Sequence, residues 1–553
     1  MALTRRSLLM SATGVTALAA FAGCARPLPP AATGDWVDIH AHVFNAQDLP
    51  AEQFIRIVVR GQYRPDDLPP TVSEGGDLAG LAISLMVQIV RLGAPAAEAE
   101  AAQLKARREG VPVAATPSPA EREAFERQLL EQILRKRFFA APVGGDRPER
   151  RQAAEWETVV ADIAPGLPPQ SATPEAISRQ VFFNDGFLAR NLRWAMLFRR
   201  SRAGILQEMA ALYSTGPTPV RFYLPALIDY STWLEDRVPS ALPAQVEVMD
   251  EVQRSRRDIV VHSLVAYDPL RQVYDEAGQR DPGWHQSPLE LVAEAITRHG
   301  FVGVKLYPPM GFQPDGNERD ELVFPKPLLR ANLGADLDNA LRRLYAWCAD
   351  PENDVPIMAH ATNSQSAGNA YGERANPKFW RRVLADYPQL RLNLAHFGGF
   401  DEAIAKDGSL TGTLRDTWEW QAGQALIYPN VYVDLSYLSE IVGDTDETAR
   451  RRRASTQYLL AQFIERFDPE VDRLMYGSDW SMIGRERAHD AYVHNMIGYL
   501  REVGLDDAQL ARFGRRNALR FLGLQQGKPN YARIIAYRTL HSLPTEWLST
   551  AAA

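Results

Sequence analysis

The sequence predicts an α/β chain: a (β/α)₈ barrel of the TIM type with a large, mostly helical insertion after its first strand. Three observations lead there. Short apolar runs bounded by turn or helix signals occur eight times along the chain. From Pro217 onward they alternate with helical patterns, the rhythm of a parallel sheet. Most runs are apolar throughout, as strands covered on both faces must be, and several end on a single polar residue. Eight βα units is the count at which such a sheet closes.

The elements follow in chain order. Thr4-Arg5-Arg6-Ser7-Leu8-Leu9 has the twin-arginine look of an export signal, and an apolar stretch of about 13 residues from Met10 to Ala22 follows it. A membrane span needs about 20 residues, so this stretch reads as a signal h-region. Phe21-Ala22-Gly23-Cys24 resembles the lipobox of bacterial lipoproteins, with Phe21 where Leu is usual. Residues 1–34 are therefore expected to be signal, lipobox and linker. They would take the protein to the periplasm or cell envelope, lipid-anchored at Cys24. The other cysteine is Cys348. With Cys24 lipidated no intrachain disulfide can form, and stability must come from a large core.

Asp35-Trp36-Val37-Asp38-Ile39-His40-Ala41-His42 reads as a short buried strand with its chemistry at the C-terminal end. Residues 45–216 read as the helical insertion. Ser118-Pro119-Ala120-Glu121 is a capping box with Pro at the first helical position, and Phe125, Leu129, Ile133 and Leu134 continue on one face. A second amphipathic run covers Phe187 to Tyr213, and the Ala/Glu/Pro-rich stretch from Ala94 to Pro119 reads as mobile. The remaining strands are expected at Val220–Leu227, Ile259–Ala266, Gly303–Tyr307, Ile357–His360, Leu392–His396, Val431–Leu435 and Leu474–Ser478. Helical patterns between them include Leu329–Ala349, Lys378–Asp386 and Ala449–Phe467. The barrel thus takes residues 35–44 and 217–524, and 525–553 form a C-terminal extension.

Apolar residues make up 46% of the 553, charged residues 23%, and the formal net charge is −7 with both signs mixed along the chain. That composition suits a globular protein and lacks the basic stripe of a nucleic-acid binder. The expected partner is a small-molecule substrate. Membrane contact would run only through the N-terminal lipid, and a homo-oligomer stays open.

His40-Ala41-His42 puts two imidazoles on one side of a strand, about 7 Å apart, close enough to converge on one ion. Met358-Ala359-His360, Leu394-Ala395-His396 and Tyr476-Gly477-Ser478-Asp479 each end an apolar run on a polar residue. In a barrel all these ends meet at the C-terminal rim, where barrel active sites are built. His262 reads as structural, and His285, His299, His489, His494 and His541 as solvated in loops or helices.

The constellation resembles the amidohydrolase superfamily, in the branch that includes aminocarboxymuconate-semialdehyde decarboxylase. Asn430-Val431-Tyr432-Val433-Asp434-Leu435-Ser436 looks like that family's strand seven. Phe513-Gly514-Arg515-Arg516-Asn517-Ala518 looks like its terminal helix, and Ala266-Tyr267-Asp268-Pro269 like strand three. The resemblance implies that His40, His42, His360 and Asp479 hold a divalent metal, with His396 beside it. Val304-Lys305-Leu306-Tyr307-Pro308 is similar to the strand-four segment of dihydroorotases, where a carboxylated lysine bridges two metals. Lys305 is accordingly either a bridging carbamate, a partner for a substrate carboxylate or half of a structural ion pair. Three nitrogens and a carboxylate point to zinc, as one or two ions. Asp479 would shuttle the proton while His396 polarises a carbonyl or activates water. The loop from Asn363 to Asn376 would cover the site, with Tyr371 and Arg374 placed for substrate. The expected reaction is hydrolysis of an amide, lactone or ester. Non-oxidative decarboxylation of an unsaturated or aromatic acid uses the same ligands. A non-catalytic envelope lipoprotein using its barrel as a binding module is the third reading.

Overall fold

Eight strand positions, every neighbouring pair parallel, follow one another around a ring. They are β1 (Trp36–Ala41), β2 (Val220–Pro225), β3 (Val260–Val261, resuming at Leu264–Ala266), β4 (Gly303–Leu306), β5 (Ile357–His360), β6 (Leu392–Ala395), β7 (Val431–Asp434) and β8 (Leu474–Met475). A bridge between Ala226 and Leu264 ties β2 to the second half of β3, and one between Ala41 and Trp480 joins the two ends of the ring. Beside that closure the Ile39 N–H donates to the Tyr476 carbonyl at 3.1 Å. The barrel is closed. This computed structural model describes residues 35–59, 78–113, 115, 117–139, 146–234, 237–318, 332–364, 366–368, 370–443 and 446–552. The export signal and Cys24 lie outside the described residues.

The expected strands all occur, most of them a residue or two shorter at the C-terminal end. Two of those ends leave the ladder because the backbone turns left-handed there, at His396 (φ 66°) and at Asp479 (φ 55°). The barrel helices run over Leu333–Ala349, Trp380–Asp386 and Glu447–Phe467, the last two starting two residues later and two earlier than the periodicity suggests; residues 329–331 of the first expected helix lie outside the described residues.

Every described element between β1 and β2 is helical. Ser118 caps Pro119–Phe138 through the reciprocal bonds with Glu121. That helix buries Leu130, Ile133 and Leu134, whereas Phe125 is 57% exposed and lies under Arg199 instead of in the core. The run from Phe187 to Tyr213 is two helices, Phe187–Leu197 and Arg202–Tyr213, because the Ser201 hydroxyl caps the second at Gly204. Ala94 to Pro119 is also not the irregular stretch its composition suggests, since Ala97–Arg108 is a helix. Glu100 anchors it: its buried carboxylate takes Arg202 Nη1 and the Ala203 N–H, both at 2.9 Å, while Arg202 Nε reaches Asp48 at 2.9 Å. The insertion meets the barrel at the end where strands finish. There Trp194 Nε1 donates to the Ser481 carbonyl at 2.9 Å, just past β8. No helix among the described residues is long and apolar enough to cross a membrane.

The opposite end is closed by the C-terminal helices Pro529–Leu540 and Glu546–Ala552. Ile534 and Leu548 join a buried cluster with Val37, Phe222, Val260, Leu264 and Met358. Asn530 Nδ2 donates to Val302 (2.9 Å) and Trp547 Nε1 to Asp35 (3.0 Å), at the starts of β4 and β1. His262 is structural, as expected: buried, with its Nδ1–H on the Gly300 carbonyl at 2.7 Å. His285 and His494 are exposed, but His299 is partly buried and bonds Asp250 at 3.0 Å.

Gly514 sits where a methyl group would lie 2.3 Å from the indole nitrogen of fully buried Trp36. Gly514→Ala should therefore cost about 1–3 kcal/mol by overpacking, read as a lower denaturant midpoint at unchanged slope. An unchanged midpoint would mean that Trp36 has room to move.

Candidate metal centre

Five of the predicted residues (His40, His42, Lys305, His396 and Asp479) and one hydroxyl that sequence reasoning did not assign come together at the C-terminal rim. The tightest convergence is His40, His396 and Asp479, each offering an atom within 4.8 Å of the others'. His42 Nε2 faces Asp479 Oδ1 at 3.2 Å, and His40 Nε2 lies 3.9 Å from the same oxygen. The Asp479 N–H donates to the His40 carbonyl at 2.8 Å, locking the end of β8 to β1. Gly477 makes that approach practicable, since a Cβ there would stand 2.9 Å from the His40 Cβ.

Hydrogen-bond chemistry fixes which nitrogen each imidazole turns to the centre. The Ser436 hydroxyl has one proton, which it gives to Asp434, an acceptor. Its lone pairs then accept from His40 Nδ1–H (3.0 Å) and His396 Nδ1–H (2.9 Å). His42 Nδ1–H donates to the Ala226 carbonyl at 2.8 Å. Three Nδ1 positions are thus donors, leaving three Nε2 atoms to present lone pairs, the arrangement that outer hydrogen bonds impose on metal-binding histidines. Burial, then the Lys305 charge, holds His40 far below the ordinary imidazole range. Burial and the neighbouring His40 do the same to His396. These groups are neutral, as ligation requires. His42 Nε2, 3.2 Å from the Asp479 carboxylate, is placed to share a cation with it. The residues fit a divalent ion.

Lys305 occupies part of that role. Its Nζ donates to His40 Nε2 at 2.9 Å, and burial brings its pKa down to about 8 against the opposing pull of Asp434 and Asp479. His360 stands one ring away: 4.5 Å from His396 by centroids, its Nε2 on Thr362 and Ser364 (3.1 Å each), its buried Nδ1 with no partner among the described residues. Arg374 is turned to the Gly311 carbonyl and lies over the Tyr371 ring, with its guanidinium carbon 3.9 Å from the centroid.

Sequence reasoning left Asp434 and Ser436 without roles. The signal was present, because Asp434 ends an apolar strand on a polar residue just as His360 does. Asp434 also accepts the His396 N–H at 3.1 Å and Asn393 Nδ2 at 2.5 Å, so one carboxylate orients three groups of the centre.

A closed barrel with two histidines and an aspartate gathered at its C-terminal rim offers a place where a metal ion could be held. Residues 260–524 match the model of the amidohydrolase family. The matched span starts at β3, so His40 and His42 join it only through the fold. No curated protein matches the chain. Among solved structures it is similar to an amidohydrolase from Burkholderia multivorans with bound HEPES, at 14% identity over 60% of this chain and 91% of that one, TM-score 0.37. A zinc-bound form of the Burkholderia protein has the same identity and coverage and TM-score 0.35. A putative 2-pyrone-4,6-dicarboxylic acid hydrolase from Pseudomonas putida is 14% identical over 58% of this chain and 85% of that one, TM-score 0.31.

Proposed function

We propose that the chain is a metal-dependent hydrolase that activates water for attack on an amide, lactone or ester carbonyl of a small molecule. The observation that carries this reading is the convergence of His40, His396 and Asp479, each with an atom within 4.8 Å of the others', and of His42 Nε2 3.2 Å from Asp479. His40, His396 and Asp479 would hold the ion, with His42 completing the set and zinc matching the donors. When bound, such an ion supplies Lewis acidity and an acidified water, its pKa brought to roughly 7. Asp479 takes the proton from the attacking water and returns it to the leaving group. Ser436 and Asp434 keep His40 and His396 in the tautomer that leaves Nε2 bare. Burial of His40, His42 and Asp479 at 0–3% exposure excludes bulk water around the reacting carbonyl.

The test combines metal analysis of the purified full chain with a panel of amides, lactones, esters and unsaturated acids, scoring both hydrolysis and carbon dioxide release. Metal-dependent hydrolysis is the expected outcome. Full activity after chelation would end the reading, and carbon dioxide release without hydrolysis would replace it by decarboxylation.

A further inference from the structure

Beside the metal centre, between the end of β6 and the helix Trp418–Ala425, lies a cavity of about 30 Å³. His396 lines it, and His396 is the part-exposed member of the trio it forms with buried His40 and Asp479. The cavity therefore adjoins the centre through a residue that belongs to both. About 10–15 Å³ holds one water-sized group, so the space suits two. The charge on its walls has one sign. Asp401, Glu402 and Glu419 line it, and among its described lining residues there is no lysine or arginine. Asp401 is offset by Arg452 Nη2 at 2.5 Å, and that guanidinium is otherwise committed to Glu440. Glu402 is exposed and accepts the Trp418 N–H at 3.3 Å. Glu419 is only 6% exposed. Its Oε1 accepts the Phe400 and Gly398 N–H groups, at 2.9 and 3.3 Å, in the loop that follows His396. Its Oε2 is buried with no hydrogen-bond partner among the described residues. A buried carboxylate oxygen left so is costly unless a donor fills the place. Burial pushes this carboxyl up to about 7 against the pull of the Phe400 N–H, and the Glu402 charge adds to the rise.

We infer that this cavity receives the protonated primary amine of the substrate, so that the hydrolysed carbonyl compound is an aminoalkyl amide, lactone or ester. The inference rests on the hydrolase reading and narrows it to a class. An aminomethyl terminus is two water-sized groups, the size of the space. Its N–H bonds supply the donor that Glu419 Oε2 lacks, and its charge offsets Glu402 and Glu419 together. Trp418 lines the same cavity, and an indole attracts an ammonium group as well. An anionic or plain alkyl terminus gains none of this. Glu419 is thereby a specificity residue with no part in the chemistry at the metal.

Glycinamide, 3-aminopropanamide and 4-aminobutanamide, each paired with the neutral amide that carries a methyl group in place of the ammonium, test the cavity. Their binding to the metal-loaded full chain is measured by calorimetry at neutral pH, with metal content checked in each sample. At least one amine should bind about tenfold or more tightly than its neutral partner, the worth of one charge-assisted hydrogen bond. Glu419→Gln should cut that preference by about fivefold or more. Glu402→Gln, at an exposed position, should cut it by about threefold. Asp401→Asn, whose carboxylate already faces Arg452, should change it by less than about twofold. A smaller preference in every pair, binding of none of the amides, a preference that survives Glu419→Gln, or one lost equally in Asp401→Asn would overturn the inference. Should Glu419→Gln fail to fold, the Glu402→Gln result decides. Absence of turnover on the substrate panel would instead strike the hydrolase reading and leave this preference measurable, so the two fail separately.

Discussion

His40→Ala should leave a folded protein that purifies almost free of metal and turns over substrate at least about a thousandfold more slowly than wild type. His40 is fully buried and meets the centre's other groups on both sides: Ser436 and Asp434 through Nδ1, Lys305 and Asp479 through Nε2. Altering a partner behind a ligand already costs about 10–100-fold in metal affinity, and deleting a ligand costs more. Lewis acidity is worth several kcal/mol of barrier, and about 1.4 kcal/mol is tenfold in rate. The measurement is metal per chain by mass spectrometry, paired with near-ultraviolet circular dichroism and turnover in one preparation. A variant that keeps its metal and its rate would show that His40 serves the fold only, through its bond to Lys305.

Much of this centre could be read before the fold was known. His40, His360, His396 and Asp479 each close an apolar run, and in a barrel that local pattern suffices to bring distant residues to one rim. What stayed hidden depends on partners far along the chain. The helix Ala97–Arg108 has a composition that looks mobile, and it gains its place from such partners: Glu100 on Arg202, the Ala97 N–H on the Ser240 hydroxyl and Arg108 on Glu251. Tyr307 is one more apolar strand residue until Tyr230 and His360 are set around it. The C-terminal helices show no chemistry in sequence, and their role appears only when Ile534 and Leu548 meet the barrel floor. The side-chain order within the centre was equally out of reach. Nothing local tells that one Ser436 hydroxyl orients both His40 and His396, because that follows from where β1, β6 and β7 lie in the ring.

Asp479→Asn separates ligand from proton carrier. Asp479 Oδ1 faces His42 Nε2 at 3.2 Å, and its backbone is pinned at φ 55° by bonds to the His40 carbonyl and from the Met482 N–H. Asparagine tolerates that left-handed backbone well, so the substitution adds little strain. The amide keeps the shape and still offers an oxygen to an ion, but it cannot take a proton from water. If Asp479 were a ligand alone, saturating zinc should restore turnover to within a few-fold of wild type. With the shuttle role, turnover stays low even when the metal is restored, by the 10²–10⁴-fold typical of a lost general acid–base, or more. The second result is the one expected, for turnover at saturating zinc with metal content verified in the same sample. Restored turnover would move proton transfer to His396. Its Nδ1–H is committed to Ser436, which leaves Nε2 as its basic atom.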